Sequence, residues 1–249
     1  MFASFLRRLI PERLRPIGYL THLTRERTAS TVLEGPFAGL KYGEVSQGSA
    51  YIPKLLGIYE RELRPQVAEI IDRQPRLVID LGAAEGYYAV GLARVLPQTR
   101  VIAFEMEASG RDALTAMAVR NKVESRLEVR GKCEPQDLAE VLGNKNSVVV
   151  ICDVEGYESV LLDPDEISAL ADAAILVELH DFLISGLRET VRERFVATHT
   201  ITLITQEARS RDEFPWRTLG TALLPKSYLD WAVSEWRPVV MEWYWMVPK

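Results

Sequence analysis

Cysteine and histidine are scarce in this sequence. Two cysteines, Cys133 and Cys152, and three histidines occur among 249 residues. The cysteines have no disulfide-like spacing, so a reducing cytoplasm is the expected setting, and they cannot build a zinc site alone. The sequence therefore indicates neither a disulfide-stabilised scaffold nor a cysteine-based zinc domain.

Long apolar runs are also lacking. No segment approaches the roughly 18 apolar residues that a bilayer-spanning helix needs. Residues 1–10 are interrupted by Arg7 and Arg8 and have no cleavage-like site behind them, which argues against a secretion signal. Residues 1–27 carry six arginines against two glutamates, and one helical face could be lined by Phe2, Phe5, Leu6, Leu9 and Ile10. We expect this helix to pack on the domain, with weak contact to a membrane surface as the alternative.

The chain has no excess of positive charge. Its 30 basic and 35 acidic residues give a net charge of −5. This balance argues against nucleic acid as the main partner, because phosphate backbones are bound through surplus lysine and arginine. The length and the 47% hydrophobic content suit one large soluble domain, or a domain with an appendage.

Strand-like and helix-like segments alternate from Leu77 onward. This alternation predicts an α/β fold with a parallel sheet and helices on both faces. The expected strands are residues 77–80, 100–105, 127–130, 148–153, 174–179, 200–205 and 241–247, of which the last two form an antiparallel edge. The expected helices are residues 88–96, 109–121, 135–142, 165–171, 183–195 and 225–236.

The residues before the first strand follow a different pattern. Gly35, Pro36 and Gly39 predict a hairpin and a loop, and residues 55–72 have helical periodicity. We therefore expect residues 1–75 to form an N-terminal cap of helix, hairpin and helix, packed on a core domain of residues 76–249.

The loop after the first strand has the composition of a cofactor-binding turn. Residues 80–88 read Asp-Leu-Gly-Ala-Ala-Glu-Gly-Tyr-Tyr and lead from a strand into a helix. Such a loop directs backbone N–H groups and the positive helix end at a ligand, and Gly82 and Gly86 would let that ligand approach the backbone. Glu105 ends the next strand about 20 residues further on, where a carboxylate can accept hydrogen bonds from both ribose hydroxyls. The pattern predicts a nucleoside cofactor.

The glycine spacing decides which nucleoside is expected. A dinucleotide pyrophosphate needs G-x-G-x-x-G, which this loop does not provide. Asp80 would repel a phosphate but can accept a hydrogen bond from the cationic amino group of S-adenosylmethionine (SAM). A glycine-rich turn that serves packing alone, and an NAD(P)-dependent oxidoreductase, are the alternatives.

Further cofactor contacts are expected at the next strand ends. Met106 could lie on one face of an adenine, and Cys133 or Glu134 could meet its edge, with a plain βα turn as the alternative. The expected cofactor-binding residues are Asp80, Gly82, Ala84, Gly86, Tyr87, Glu105, Met106 and Cys133.

Acidic residues and a histidine follow the fourth and fifth strands. Because ligands of open α/β sheets bind at the carboxyl ends of the strands, Asp153, Glu178, His180 and Asp181 could converge. His180 could act as a general base, or Asp153 with His180 or Asp181 could hold Mg²⁺ or Mn²⁺ that lowers the pKa of an acceptor hydroxyl. A hydrogen-bonded structural histidine is the third interpretation. Asp153 and His180 are the candidate catalytic residues, and Asp153, His180 and Asp181 the candidate metal ligands.

Several of these segments together resemble a known family. They are residues 78–90, 103–105 and 177–181, and the segment D-x-E-G-x-E formed by Asp153, Glu155, Gly156 and Glu158. Residues 35–42 and 54–60 are also similar to segments of the same family. The sequence resembles the FkbM-type branch of class I SAM-dependent methyltransferases over about residues 35–185.

The resemblance implies a Rossmann-like, doubly wound, seven-stranded sheet, the class I methyltransferase fold. It also implies O-methylation of a hydroxyl on a sugar, a glycan or a natural product, with SAM as the methyl donor. A protein that binds the nucleoside cofactor without catalysis is the alternative outside enzymes.

Overall fold

The computed structural model describes residue 11 and residues 15–43, 50–143 and 146–249. The helix expected over residues 1–10, with its membrane contact, lies outside the described residues. Within the described ranges, no helix is long and apolar enough to span a membrane.

Seven strands form one mixed sheet. They are β1 (Leu77–Leu81), β2 (Arg100–Phe104), β3 (Leu127–Arg130), β4 (Val148–Cys152), β5 (Ala174–Glu178), β6 (His199–Thr205) and β7 (Glu242–Pro248). Their order in the sheet is β3-β2-β1-β4-β5-β7-β6. Strands β1 to β5 pair in parallel, whereas β7 runs antiparallel to both β5 and β6. The predicted α/β fold with a doubly wound, seven-stranded mixed sheet is confirmed.

Helices connect the strands and precede the first one. They are α1 (Pro16–Thr28), α2 (Tyr51–Leu56), α3 (Arg64–Arg73), α4 (Tyr87–Val95), α5 (Ala108–Asn121), α6 (Pro135–Leu142), α7 (Glu158–Leu161), α8 (Leu187–Phe195), α9 (Leu219–Leu223) and α10 (Lys226–Val233). Short 3₁₀ helices occur at Arg61–Leu63, Ser168–Asp172 and Arg211–Glu213. Helices α4 to α8 each follow one of the first five strands, as the alternation in the sequence predicts.

The middle strands of the sheet are buried along their whole length. Every residue of β1, β4 and β5 is buried, and Ile79, Val150 and Ile175 have no exposed surface. Near-continuous runs of valine, isoleucine and leucine are typical of parallel strands that are covered on both faces. This core holds the strand ends, and therefore the candidate site residues, in fixed positions.

Some expected elements differ in the structure. The expected helix over residues 55–72 is divided, because α2 ends at Leu56 and is followed by Gly57, whose φ is +82°. A Cβ there would lie 2.2 Å from the carbonyl oxygen of Glu34, so only glycine fits. The expected hairpin near residues 35–43 consists of one antiparallel bridge, between Thr31 and Lys41. The helix expected at residues 165–171 is instead the 3₁₀ helix at Ser168–Asp172.

The chain divides into two compact units. One consists of Met1–Arg61 and Glu207–Trp236, and the other of Glu62–Gln206 and Arg237–Lys249. The first has its own apolar cluster, which includes Leu20, Ile52, Phe214 and Leu229. The second contains the whole sheet and every candidate site residue. The division expected from the sequence, an N-terminal cap of residues 1–75 on a core domain of residues 76–249, stays a prediction.

Candidate functional site

The register of the parallel strands places the candidate residues in one row. Leu81 of β1 pairs with Phe104 of β2 and with Cys152 of β4, and Cys152 pairs with Val177 of β5. The residues that follow these four therefore leave the sheet at the same edge. They are Gly82, Glu105, Asp153 and Glu178.

In the loop after β1, a Cβ added to either glycine would clash with another segment of the protein. Gly82 has φ +81°, and a Cβ on it would lie 1.7 Å from the carbonyl oxygen of Asp153. Gly86 has φ +93°, and its Cβ would lie 2.9 Å from Cγ of Leu114 in α5. The sequence predicts that these glycines allow a ligand to approach the backbone closely. In the structure they are required by the backbone conformation and by packing against β4 and α5.

Glu105 is held firmly at the end of β2. Its Oε2 atom accepts a hydrogen bond from Ala84 N–H at 2.7 Å, and its Oε1 atom accepts one from Glu107 N–H at 2.7 Å. A Cβ on Gly110 would lie 2.7 Å from Cγ of Glu105, so this glycine makes room for the side chain. Gly110 is not among the residues predicted for the site, although a glycine in the first turn of a helix lowers helix stability and therefore indicates another role.

The other predicted cofactor residues lie in different surroundings. Asp80 and Tyr87 are buried, Ala84 is half-buried, and Met106 is 61% exposed. Cys133 belongs to the apolar core, where burial and the nearby Asp137 and Glu134 raise the pKa of its thiol to about 12. The structure therefore gathers the β1 loop and Glu105 at one edge and leaves the Cys133 side chain in the core.

Glu134, the alternative to Cys133, belongs to a polar group beside this edge. It is the N-cap residue of α6, and its Oε2 atom accepts a hydrogen bond from the Tyr157 hydroxyl at 2.8 Å. Lys132 contacts its Oε1 atom at 2.7 Å. These bonds lower the pKa of the Glu134 carboxyl, with the Lys132 bond contributing most.

A buried glutamate organises the turn after β4. Glu158 has no exposed surface, and its Oε1 atom accepts hydrogen bonds from Val154 N–H at 3.4 Å and Gly156 N–H at 3.2 Å. The same oxygen lies 2.5 Å from Nδ1 of His180. An Nδ1–H donated to Glu158 fixes the imidazole orientation and leaves Nε2 toward the strand ends.

Three further carboxylates surround Nε2 of His180. Asp153 Oδ1 lies at 3.6 Å, Glu155 Oε2 at 3.5 Å and Glu178 Oε1 at 3.5 Å. Burial of the ring opposes its protonation, but the bond to Glu158 and the charges of Asp153 and Glu155 outweigh burial. The pKa of His180 is therefore raised above its ordinary value.

Two side-chain donors hold Glu178 in place. Arg237 Nη1 donates to its Oε1 atom at 2.6 Å, and Trp243 Nε1 donates to its Oε2 atom at 3.1 Å. Arg237 thus compensates the charge of Glu178. Arg237 cannot be recognised from the sequence, because it lies close to Glu178 only through the pairing of β7 with β5.

Asp153, Glu155 and His180 have the geometry of a cation site. One ligand atom from each lies within 4.8 Å of the others. Asp181, which the sequence analysis expected here, instead accepts a hydrogen bond from Arg188 N–H in the first turn of α8 at 2.9 Å. Glu155 stands in its place in the described structure. In the sequence, Glu155 is recognisable only as part of the D-x-E-G-x-E segment.

Comparisons with known proteins bear on the fold. No protein-family model and no curated protein sequence matches the chain. A proposed O-methyltransferase from Klebsiella pneumoniae is 15% identical with a TM-score of 0.51, over 98% of this chain and 95% of that one. The O-methyltransferase TomG from Streptomyces achromogenes, in complex with SAM, is 14% identical with a TM-score of 0.49, over 98% and 95% of the two chains. An O-methyltransferase from Bacillus cereus, in complex with SAH, is 18% identical with a TM-score of 0.47, over 78% and 86%. The sheet order and the first of these similarities identify the class I methyltransferase fold in this chain.

Proposed function

We propose that the protein is a SAM-dependent methyltransferase that methylates a hydroxyl oxygen of a small-molecule or carbohydrate acceptor. The observation that carries this proposal is the convergence of Asp153, Glu155 and His180 on the row of strand ends that also holds Glu105. The FkbM-type resemblance supports it, because its D-x-E-G-x-E segment contains Asp153, Glu155 and Glu158.

The residues around the β1 loop fit an adenosyl cofactor. Both oxygens of Glu105 are held by backbone N–H groups, and a carboxylate has further lone pairs for ribose hydroxyls. Asp80 supplies a buried carboxylate for a cationic amino group, and the space beside Gly131 is open. Helix α4 begins at Tyr87, directly after the loop, with Gly86 as its N-cap residue. When bound, SAM supplies an electrophilic methyl group on a sulfonium.

The acidic cluster fits a hard divalent cation. Two carboxylates and one imidazole converge, and oxygen-rich donor sets suit Mg²⁺ or Mn²⁺. Oε2 of Glu158 is buried with no hydrogen-bond partner in the described part of the chain, and three further carboxylates lie within 3.6 Å of Nε2 of His180. A cation bound here would lower the pKa of a coordinated acceptor hydroxyl.

The protein's own groups orient the acceptor and take part in its deprotonation. Glu158 fixes His180 through Nδ1, so that Nε2 lies beside Asp153 and Glu155. Arg237 and Trp243 hold Glu178 in a fixed position next to them. Methyl transfer needs little more than in-line positioning and acceptor deprotonation, which a preorganised cluster provides. General-base catalysis by His180 without a cation is the alternative.

The first test is which cofactor the protein binds. We expect SAM and SAH to raise the melting temperature and NADH to leave it unchanged. A ligand at 100 times its Kd stabilises the folded state by about 2.7 kcal/mol, or roughly 5 to 10 °C for a chain of this length. A shift with NADH alone would favour the oxidoreductase, and no shift with any of the three would overturn the proposal.

Measurements of methyl transfer test the catalytic role of the acidic cluster. Methyl transfer from labelled SAM to a panel of hydroxylated acceptors should require Asp153. Chelation by EDTA should abolish this transfer, and addition of Mg²⁺ or Mn²⁺ should restore it. Activity that survives EDTA but not His180→Ala would support the general base. SAM binding with no transfer to any acceptor would favour a non-catalytic binding protein.

A further inference from the structure

Three consecutive apolar side chains are exposed directly after the acidic cluster. Phe182, Leu183 and Ile184 are 42%, 50% and 43% exposed. We call these three residues the apolar rim. Exposed apolar side chains that lie next to one another are a candidate binding surface.

The rim belongs to an ordered turn. The carbonyl oxygen of His180 accepts hydrogen bonds from Leu183 N–H at 2.9 Å and Ile184 N–H at 3.0 Å. Asp181 fixes the other side of the turn through its bond to Arg188 N–H. The backbone therefore holds the three side chains outward, and burial in the core does not account for them.

The rim also borders the acidic cluster directly. The rings of Phe182 and His180 have their centroids 5.8 Å apart. Ile184 Cγ1 lies 3.1 Å from the position of a Cβ on Gly156, so Ile184 covers the turn after β4. One surface thus combines an apolar wall with a few convergent polar groups, which is the usual composition of a small-molecule site.

We propose that the rim binds the carbon skeleton of the acceptor. The acceptor is then an uncharged hydroxyl compound with an extended aliphatic or alicyclic body, and a free sugar is a poor substrate. Asp153, Glu155 and Glu158 together carry three negative charges, so the cluster stays net negative even with a divalent cation bound. It therefore disfavours an acidic acceptor at the end where the hydroxyl must bind. This inference rests on the proposed function, whose acceptor class it names.

Calorimetry with a graded series of probes tests the rim. Glucose and its methyl, butyl and hexyl β-glucosides would be titrated into the protein with and without saturating SAH. We expect affinity to rise by up to about fourfold for each added methylene. The double variant Phe182→Ser/Leu183→Ser should flatten this rise and leave SAH affinity unchanged. Leu203→Ser, an exposed position on β6, is the matched control and should keep the rise.

The outcomes separate this inference from the proposed function. Affinity that is independent of chain length, or a rise that survives the double variant, would overturn the role of the rim even if SAH binds. Failure of SAH to bind would overturn the proposed function, while the titrations without SAH would still test the rim. A dimer in light scattering that the double variant converts to a monomer would assign the rim to a second copy of the chain and overturn the inference.

Discussion

Glu158 has no exposed surface, yet its Oε1 atom contacts three donors: Val154 N–H, Gly156 N–H and Nδ1 of His180. A single carboxylate therefore fixes both the turn after β4 and the orientation of the imidazole. Partners of this kind set which nitrogen of a histidine faces a ligand. At the scale of residues, the candidate site depends on Glu158 as much as on the groups that face the acceptor.

Glu158→Gln should therefore weaken catalysis without weakening cofactor binding. Loss of the buried charge removes the preference for Nδ1–H and loosens His180, so we expect methyl transfer and Mn²⁺ affinity to fall about 10- to 100-fold. SAH affinity, measured by calorimetry, should stay unchanged. Glu189→Gln, at an exposed position of α8, is the control. Unaltered Mn²⁺ affinity in Glu158→Gln would contradict the positioning role.

Gly110→Ala should separate cofactor binding from stability. The added methyl would overlap Cγ of Glu105 and displace the carboxylate, whereas alanine in a helix is intrinsically about 1 kcal/mol better than glycine. We expect SAH affinity to fall at least about tenfold, equivalent to 1.4 kcal/mol, with the melting temperature little changed. Ser109→Ala, an exposed neighbour in the same turn, should retain wild-type affinity. Wild-type affinity in Gly110→Ala would show that Glu105 does not bind the cofactor.

At the scale of elements, the βα turns illustrate how far sequence patterns reach. The strand, the glycine loop and the helix after it are all predictable, because β-branched runs and helical periodicity are local properties. The segment against which each loop glycine packs is not predictable. It depends on Asp153 and Leu114, which lie far along the chain and meet Gly82 and Gly86 only after the sheet has formed.

Gly86→Ala tests this distinction within the loop. A side chain at φ +93° is strained and would contact Leu114, so we expect unfolding free energy to fall by about 1 to 3 kcal/mol without any ligand. Gly131→Ala, with nothing within 4 Å of its added Cβ, should leave stability unchanged. Urea unfolding of both variants gives the comparison. Equal stability of Gly86→Ala and the wild type would instead favour a role for Gly86 in ligand contact.

The edge strand β6 carries a pH-dependent contribution to stability. His199 is buried, its Nε2 lies 2.9 Å from the carbonyl oxygen of Ala173, and burial lowers the pKa of its ring. Below the unfolded pKa of about 6.5, the unfolded chain gains a proton that the folded chain does not, so stability falls as pH decreases. His199→Gln should reduce the loss of melting temperature between pH 7.5 and 5.5. His22→Gln, at a half-buried position of α1, should not reduce this loss. Equal slopes in both variants would exclude His199 as the cause.

At the scale of the whole molecule, the sheet is more predictable than the site. The alternation of segments predicts seven strands, and parallel strand ends predict that Asp153 and His180 approach each other. The exchange of Asp181 for Glu155 could not be predicted. It depends on the hydrogen bond that Asp181 accepts from Arg188 N–H, and on the φ of +50° at Glu155, whose exposed carboxylate lies 3.5 Å from Nε2 of His180. The bond between Arg237 and Glu178 could not be predicted either, because it depends on pairing between strands that are distant in the sequence.

The two cysteines provide a test of the core as a whole. Burial raises the pKa of Cys133 to about 12 and that of Cys152 well above its ordinary value, and both lie in the core of the sheet. Only the thiolate reacts with a disulfide reagent, so the native protein should react slowly at neutral pH. Both thiols should become reactive together in urea, with a midpoint that coincides with loss of helical circular dichroism. Rapid reaction of one thiol in the native protein, blocked by SAH, would instead support the expectation that Cys133 lines the cofactor site.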